Sequence, residues 1–481
     1  MSLVRADFIA LLPLGVVAAS VVAVMLLAAF YRHARTGLLS TLLGLGLACA
    51  ALPFAAEVAP RAVTSILVVD GYALFYMGLV FAATFCVALL CYGYFGGAAI
   101  RHEALYVLLL AAALGAAVLA ASSHFASFFL GLELLSVSLF ALIAYPAHAR
   151  LPLEAGIKYL VLAGLSSALL LFGMALIYAR LGSMRFADIG VGVAAAGQGP
   201  DAYLLAGLAL IVSGVGFKLA LVPFHMWTPD VYEGAPAPVA AFVATVSKGA
   251  VFALLLRYFN EAGIGQAHTV VLALSFIAIA SILTGNLLAL LQDNIKRILA
   301  YSSIAQLGYL LVALLASDGL AAEAVAFYLV AYFISMLGAF GVVTLLSSAA
   351  AEHDAGALAD YRGLFWRRPW LAGAFSVMLL SLAGIPLTMG FVAKFYVLAA
   401  GVGAALWPLA AAVVIGSALG LFFYLRIIAV MCATSPADAA TPLMPQSAAH
   451  YTLAGLTAAL IWLGAFPAPL IRLIHMAGAA L

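Results

Sequence analysis

The sequence has few charged residues. Asp, Glu, Lys and Arg make up 8% of its 481 residues, while hydrophobic types make up 67%. Because soluble domains contain about 25% charged residues, a soluble globular protein is excluded. The formal net charge is +2 and there is no basic run, which disfavours nucleic-acid binding. Apolar runs of about 20 residues recur instead, each long enough to cross a bilayer. They are continuous rather than alternating, so they favour helices over a β-barrel.

Recognisable cofactor motifs are also missing. The four cysteines, Cys49, Cys86, Cys91 and Cys432, lie within or at the ends of apolar runs and show no metal-binding spacing. There is no glycine-rich dinucleotide fingerprint and no phosphate-binding loop. We therefore expect no metal and no cofactor in this chain, with neither NADH nor an iron–sulfur cluster bound by a known motif, and the cysteines are interpreted as small buried hydrophobes.

Lysine is much rarer than arginine in this sequence. It occurs at five of the 20 basic positions: Lys158, Lys218, Lys248, Lys296 and Lys394. A genome rich in GC would explain the arginines in the loops, but not lysines inside apolar runs. Lysine can lose its proton when buried, whereas arginine effectively cannot. A charge at membrane depth is costly and therefore predicts a functional site. Because only lysine can lose its proton there, the choice of lysine over arginine favours a proton carrier.

The apolar runs predict an all-α polytopic membrane protein with 14 spans and a single transmembrane domain over 1–481. The expected spans are 8–30, 38–56, 70–95, 104–121, 124–145, 155–180, 202–222, 235–259, 267–290, 296–316, 321–347, 371–400, 405–431 and 449–475. The connection 182–201 reads as a glycine-rich loop, and 347–370 as a charged loop with room for a short surface helix.

Spans 7 and 12 contain prolines, Pro223 and Pro386, that predict broken helices. Irregular backbone at membrane depth is tolerated only inside protein or beside a hydrated cavity. The two broken spans are five spans apart, an odd number, so equivalent segments would run in opposite directions. We therefore expect an inverted repeat of five helices, spans 4–8 (104–259) and spans 9–13 (267–431), as in many transporters.

Five polar residues in the first repeat are candidate site residues: Glu133, Lys158, Lys218, His225 and Lys248. Glu133 lies in mid-span and is either a neutral structural acid or the partner of a facing lysine. Lys158 either snorkels to the headgroups or takes part in proton transfer. Lys218 and Lys248 lie deep, where snorkelling is disfavoured. His225 follows the break, where it either caps a helix or passes protons.

In the second repeat, Lys394 lies deep beyond Pro386 and is the remaining candidate site residue. Lys296 opens span 10 beside Arg297, where a topological role is favoured over a catalytic one. Asp230 and Glu233 are expected to cap the broken ends of span 7.

The distribution of basic residues predicts the orientation. The connections after odd-numbered spans hold Arg32, Arg35, Arg101, Arg150, Lys296, Arg297, Arg362, Arg367, Arg368 and Arg426, against Arg5, Arg61, Arg180, Arg185, Arg257 and Arg472 on the other side. The excess marks the cytoplasmic side, which puts both termini in the periplasm of a bacterial inner membrane.

Three motifs resemble the antiporter-like membrane subunits of respiratory complex I, the NADH:quinone oxidoreductase. They are VPFHMWTPDVYEGAPAPVAAFVATVSKGA in spans 7 and 8, NIKRILAYSSIAQLGY in span 10, and LAGIPLTMGFVAKFYV in span 12. The first motif is specific, and the span count agrees over the whole chain. The lysine in span 12 resembles one branch of the family, since a sister branch has glutamate there.

The resemblance implies a proton channel driven by quinone reduction elsewhere in the complex. On this analogy Glu133 and Lys218 form a modulating pair, Lys248 continues the polar line, Lys394 is the terminal lysine, and Lys158 and His225 match positions implicated in the family. FMN, iron–sulfur clusters and the quinone site would belong to partner subunits. The expected partners are the other subunits of the complex, especially the neighbouring antiporter-like membrane subunits. Gln306 departs from relatives that carry histidine there. The alternatives are a subunit of a multisubunit monovalent cation/proton antiporter and a purely structural membrane subunit.

Overall fold

The computed structural model describes residues 4–31, 33–96, 103–146, 148–196, 201–316, 320–347, 354–434 and 447–478. Arg32 and Arg101, both counted above for orientation, lie outside the described residues. The first half contains α1 (Arg5–Ala10), α2 (Leu12–Phe30), α3 (Ala34–Ala56), α4 (Gly71–Phe95), α5 (Glu103–Ala121), α6 (Phe125–Ile143), α7 (Arg150–Leu181), α8 (Phe186–Ala196), α9 (Ala202–Leu219), α10 (Trp227–Gly234), α11 (Ala237–Phe242) and α12 (Lys248–Glu261).

The second half continues with the same kind of element. It contains α13 (His268–Leu290), α14 (Ile295–Ala316), α15 (Ala321–Leu346), α16 (Leu364–Arg367), α17 (Pro369–Ala383), α18 (Met389–Gly403), α19 (Trp407–Cys432), α20 (Ser447–Ala465) and α21 (Ala468–Gly478). A π-helical turn, Val243–Ser247, joins α11 to α12 without interruption. Short 3₁₀ helices occupy Ile264–Gln266 and Leu358–Tyr361.

The described residues contain 13 helices that are long and apolar enough to cross a membrane, counting Ala237–Glu261 as one. The shorter pair α17 and α18 makes up one further, broken span. The prediction of an all-α membrane protein with 14 spans is thus confirmed. The segment Ala237–Glu261, α14 and α15 are almost wholly buried and form the centre, whereas fewer than half of the residues in the most apolar stretches of α2, α7, α13 and α19 are buried.

Both predicted breaks are present, and both begin with a residue in left-handed conformation. In span 7, α9 ends at Leu219, and Ala220 (φ 59°) donates its N–H to the carbonyls of Gly216 and Phe217. In span 12, α17 ends at Ala383 and Gly384 has φ 85°. Glycine is favoured at 384 for two reasons: it adopts a positive φ without strain, and a Cβ there would lie 2.7 Å from Cδ of Lys394.

Three local features differ from the sequence-based expectation. The expected loop 182–201 contains α8, because Phe186 and Ile189 are buried and Phe186 packs edge-on against Phe125 and Tyr258. Span 14 ends at Ala465 rather than near 475, because Pro467 separates α20 from α21. A two-stranded antiparallel hairpin, Arg61–Val63 with Leu67–Val69, lies between α3 and α4, with Arg61 opposite Val69.

Candidate functional site

Glu133 lies in the middle of α6, where it is partly buried. Its Oε1 accepts a hydrogen bond of 2.5 Å from Oγ of Ser167 on α7. Among the ion pairs of the described residues there is none between Glu133 and Lys218. The expected modulating pair is therefore not a contact in this structure, and any influence of Glu133 on Lys218 acts through space.

Lys218 is buried in the last turn of α9, just before the break. Its Nζ donates to Oγ of Ser136, three residues beyond Glu133 on α6, at 2.7 Å. The ammonium also lies 5.5 Å from the ring centroid of Tyr159. A lysine held by one neutral hydroxyl and one aromatic face has no fixed counter-charge in direct contact, so its proton is not locked in place by an ion pair.

His225 is buried in the break of span 7, between α9 and α10. Its Nδ1 has no hydrogen-bond partner in the described part of the chain, and neither does Oγ1 of nearby Thr228. The His225 carbonyl accepts from the Thr228 N–H, at 3.0 Å. The imidazole does not cap α10 by a side-chain hydrogen bond, since no such bond is made at that helix start.

Lys248 begins α12, directly after the π-helical turn, and is fully buried. Its Nζ donates to Oγ of Ser303 on α14 at 2.7 Å, and that hydroxyl lies 2.7 Å from Oη of Tyr332. Tyr332 donates its own proton to the carbonyl of Ala244 at 3.0 Å, so Ser303 must donate to Tyr332. Lys248, Ser303 and Tyr332 thus form a directed row of hydrogen bonds ending inside the π turn.

Aromatic rings separate Lys248 from Lys218. The Lys248 ammonium lies 5.2 Å from the ring centroid of Tyr232 and 5.8 Å from that of Trp227, both on α10. Trp227 also donates its indole N–H to the Phe217 carbonyl, one residue before Lys218, at 2.9 Å. The two lysines are therefore joined through α10 rather than by a direct hydrogen bond.

A small cavity of about 10 Å³ continues from Tyr332 toward the second break. Its lining includes Gln306, Tyr328, Ser335, Ser381 and Lys394, and its volume is close to the room that one water molecule needs. Gln306 donates to the Leu382 carbonyl at 3.1 Å and accepts from the Tyr328 hydroxyl. Gln306 is fixed by neutral partners at the break, beside the space for a water.

Lys394 lies at the far end of this cavity, on α18. Its Nζ donates to the carbonyl of Ala383, the last residue of α17, at 2.9 Å, and lies 4.9 Å from the ring centroid of Tyr309. The Ala383 carbonyl is one of those left without an intrahelical partner where the helix ends. The break in span 12 thus supplies the acceptor for this lysine.

Lys158 lies apart from this row, on the side where α7 begins. Its Nζ pairs with Glu154 at 2.7 Å and with Asp230 at 2.8 Å. Arg297 pairs with Asp230 at 2.9 Å and with Glu233 at 2.7 Å. Asp230, in the first turn of α10, and Glu233, near its end, therefore bridge helices through these ion pairs. These five charged residues line a cavity of about 190 Å³, which we call the vestibule.

Two buried ion pairs were missed by the sequence reasoning. Lys296, interpreted as a topological lysine, is 2% exposed and pairs with Asp354 at 2.6 Å. Arg257, counted as a loop arginine, is 1% exposed and binds Asp70 through two nitrogens, each at 2.8 Å. Both residues join segments far apart in sequence, which helical periodicity does not report.

Within the described residues, no group of three or more His, Cys, Asp or Glu side chains could hold a metal ion. The arrangement instead offers amines, hydroxyls and an imidazole at membrane depth, with room for about one water molecule beside Gln306 and Lys394. Such groups exchange protons without redox chemistry of their own.

Comparison with known proteins agrees with this picture. Residues 122–420 match the family described as NADH:quinone oxidoreductase/Mrp antiporter, TM. The chain is 63% identical to NADH-quinone oxidoreductase subunit N of Nitrosospira multiformis, over 99% of this chain and 97% of the relative. It is 51% identical to the subunit N of Methylococcus capsulatus, over 96% of this chain and 93% of the relative.

Solved structures give the same result for the fold. A chain in respiratory complex I from Thermus thermophilus, with bound aureothin, has a TM-score of 0.81 and 32% identity, over 96% of this chain and 98% of that chain. A chain of the Mrp complex from Dietzia sp. DQ12-45-1b has a TM-score of 0.85 at 21% identity, over 100% and 98%. The second likeness concerns the fold alone. The chain therefore belongs to the NADH:quinone oxidoreductase/Mrp antiporter membrane family and, within it, groups with subunit N of NADH-quinone oxidoreductase.

Proposed function

We propose that the chain is a proton-translocating membrane subunit of an NADH:quinone oxidoreductase. The observation that carries the proposal is the row formed by two buried lysines, Lys218 and Lys248, and the partly buried Lys394, each bound to a neutral hydroxyl or carbonyl. Each amine can gain or lose a proton without breaking a direct ion pair. The chain's own residues would hold and pass protons, while FMN, the iron–sulfur clusters and the quinone would be bound by partner subunits, with antiporter-like subunits as its neighbours in the membrane.

The proposed proton route consists of the row of lysines and of the vestibule at Lys158. The row runs from Lys218 past Trp227 to Lys248, and through Ser303, Tyr332 and the small cavity to Lys394. The vestibule at Lys158 is the polar opening on the face where α7 and α14 begin. His225, with an unpaired buried nitrogen, is proposed to hold a water beside this route. Glu133 sets the electrostatic potential at Lys218.

The two five-helix segments are proposed to be an inverted repeat, 104–259 and 267–431. In each, three unbroken spans are followed by a broken span and then a further span. The close approach of Gly115 to Gly131 between α5 and α6 has a counterpart in that of Gly285 to Ala305 between α13 and α14. This similarity supports a common ancestral unit used twice in opposite directions.

The function is tested by purification from native membranes through an affinity tag on this chain. We expect flavin and iron–sulfur proteins to co-isolate, with NADH-dependent quinone reduction in the purified material. Co-isolation of membrane subunits alone, together with sodium-dependent pH homeostasis that is lost on deletion, would contradict the proposal and favour a cation/proton antiporter. If the complex is redox-active but its proton pumping is unchanged when each lysine of the row is replaced, this chain has a structural role.

We also propose that both termini face the periplasm of a bacterial inner membrane. The arginines of 362–368 are denser than those of the opposite loops, and this supports a cytoplasmic location for that segment. Ala359 and Ala187 are both exposed, on opposite sides of the proposed topology. In a variant with the four native cysteines replaced by alanine, an impermeant thiol reagent added to intact cells should label Ala187→Cys and not Ala359→Cys. The reverse labelling pattern would show that the chain has the opposite orientation in the membrane.

A further inference from the structure

The short helix α10 joins the vestibule to the row of lysines. Its Asp230 and Glu233 form part of the vestibule wall, while Tyr232 and Trp227 lie beside the Lys248 ammonium. A helix of eight residues that follows a break has no continuous helix to hold its start. Its position must therefore be fixed by contacts from other elements.

Lys296 on α14 holds the end of α10. Its Nζ donates to the carbonyl of Ala235, the residue that caps α10, at 2.7 Å. The same Nζ pairs with Asp354 at 2.6 Å, and the other oxygen of that carboxylate accepts from the Tyr94 hydroxyl at 2.7 Å. Lys296 and Asp354 are both largely buried, with side chains 2% and 7% exposed. The ammonium thus joins α10, α14, the end of α4 and the segment that carries Asp354.

Backbone hydrogen bonds hold Asp354 in place over Lys296. The Ile295 N–H donates to the Gly356 carbonyl at 2.7 Å, and the Leu358 N–H donates to the Asp293 carbonyl at 2.8 Å. Segment 354–358 is thereby fastened across the start of α14. Arg297, which follows Lys296 on α14, contacts α10 through the side chains of Asp230 and Glu233. Two consecutive basic residues therefore hold α10 at its side chains and at its end.

We propose that Lys296, paired with Asp354, is a positioning residue for proton transfer at Lys248. It fixes α10 so that Tyr232 and Trp227 face the ammonium and the vestibule stays open behind them. This inference rests on the proposed function, since it assigns a role within proton transfer. The Lys296 ammonium acts here through its contacts, since it donates to both the Asp354 carboxylate and the Ala235 carbonyl.

The test compares Lys296→Met with Lys296→Arg in membranes with matched amounts of assembled complex. We expect Lys296→Met to lower turnover on the order of tenfold and to displace the pH–rate profile, because the surroundings of Lys248 change when α10 moves. Lys296→Arg, which keeps the charge and the donors, should recover most of the activity. Arg61→Met is the control, since it removes a tertiary ion pair with Asp7 that makes no contact with α10.

The outcomes distinguish failure of the positioning role from failure of the proposed function on which it rests. An assembled Lys296→Met complex with a wild-type pH profile overturns the positioning role, as does a loss of rate by the same factor at every pH. If Lys296→Met fails to assemble, Asp354→Asn is measured by the same readouts and decides in its place. Normal pumping by Lys296→Met and by alanine variants of every lysine of the row would instead reject the proposed function itself.

Discussion

Replacing Lys218 by arginine is expected to leave the complex assembled but to remove most of its proton pumping. Lys218 is buried, and its ammonium is held by the Ser136 hydroxyl and the Tyr159 ring without a direct counter-charge. Arginine keeps the positive charge but effectively never releases its proton. If Lys218 must give up a proton in each turnover, we expect pumping to fall by roughly a hundredfold, at the lower end of what positioned proton-transfer groups contribute.

The measurement is protons pumped per NADH oxidised, together with turnover, in membranes matched for complex content. Lys218→Ala should be as inactive as Lys218→Arg, because both lack a titrating amine. Ser136→Ala is the matched control: it removes the hydrogen-bond partner and keeps the amine, so it should retain a substantial part of the pumping. Near-normal pumping by Lys218→Arg, with failure of Lys218→Ala, would mean that only a fixed positive charge is needed.

Removing the charge of Glu133 is expected to have the second-largest effect. Glu133 does not contact Lys218 directly, so its influence must be electrostatic and must survive a modest displacement of the carboxylate. Two unit charges about 8 Å apart interact by about 2 kcal/mol at an effective dielectric constant of 20. A loss of about tenfold in turnover for Glu133→Ala would correspond to roughly 1.4 kcal/mol.

The series Glu133→Asp, Glu133→Gln and Glu133→Ala separates charge from shape. Aspartate keeps the charge and should retain much of the activity, whereas glutamine keeps the shape and should behave like alanine. Ser167→Ala removes the hydrogen bond to the carboxylate and leaves its charge, so it serves as the control. Should Glu133→Gln pump as well as the wild type, Glu133 acts as a hydrogen-bonded structural acid and not through its charge.

The membrane spans and their breaks could be predicted because they depend on local chemistry. Apolar runs set the helices, and prolines with flanking small residues set the interruptions at Ala220 and Gly384. Lys218, Lys248 and Lys394 could be singled out because a charge in an apolar run has no local explanation. Their assignment to one proton route came from the motif resemblance and not from the pattern of apolar residues.

The contacts of the site could not be predicted, since they join residues far apart in the sequence. Nothing local places Lys248 against Ser303 or Arg257 against Asp70. Lys158 was a candidate site residue with snorkelling as its alternative, and the structure places it in the vestibule, eight residues after α7 begins at Arg150. A lysine or arginine in an apolar run indicates that a charge is buried at a cost in free energy. Which residue becomes its hydrogen-bond or ion-pair partner depends on how the helices pack.

The π-helical turn before Lys248 has a geometric consequence for the whole of span 8. An α-helix turns about 100° per residue, and a π turn accommodates one additional residue in a single turn. The side chains after Val243–Ser247 are therefore rotated by about 100° relative to those of an uninterrupted helix with the same start. In such a helix the amine of Lys248 would point away from Ser303. The direction of this lysine thus depends on the number of residues in the preceding turn as well as on its own chemistry.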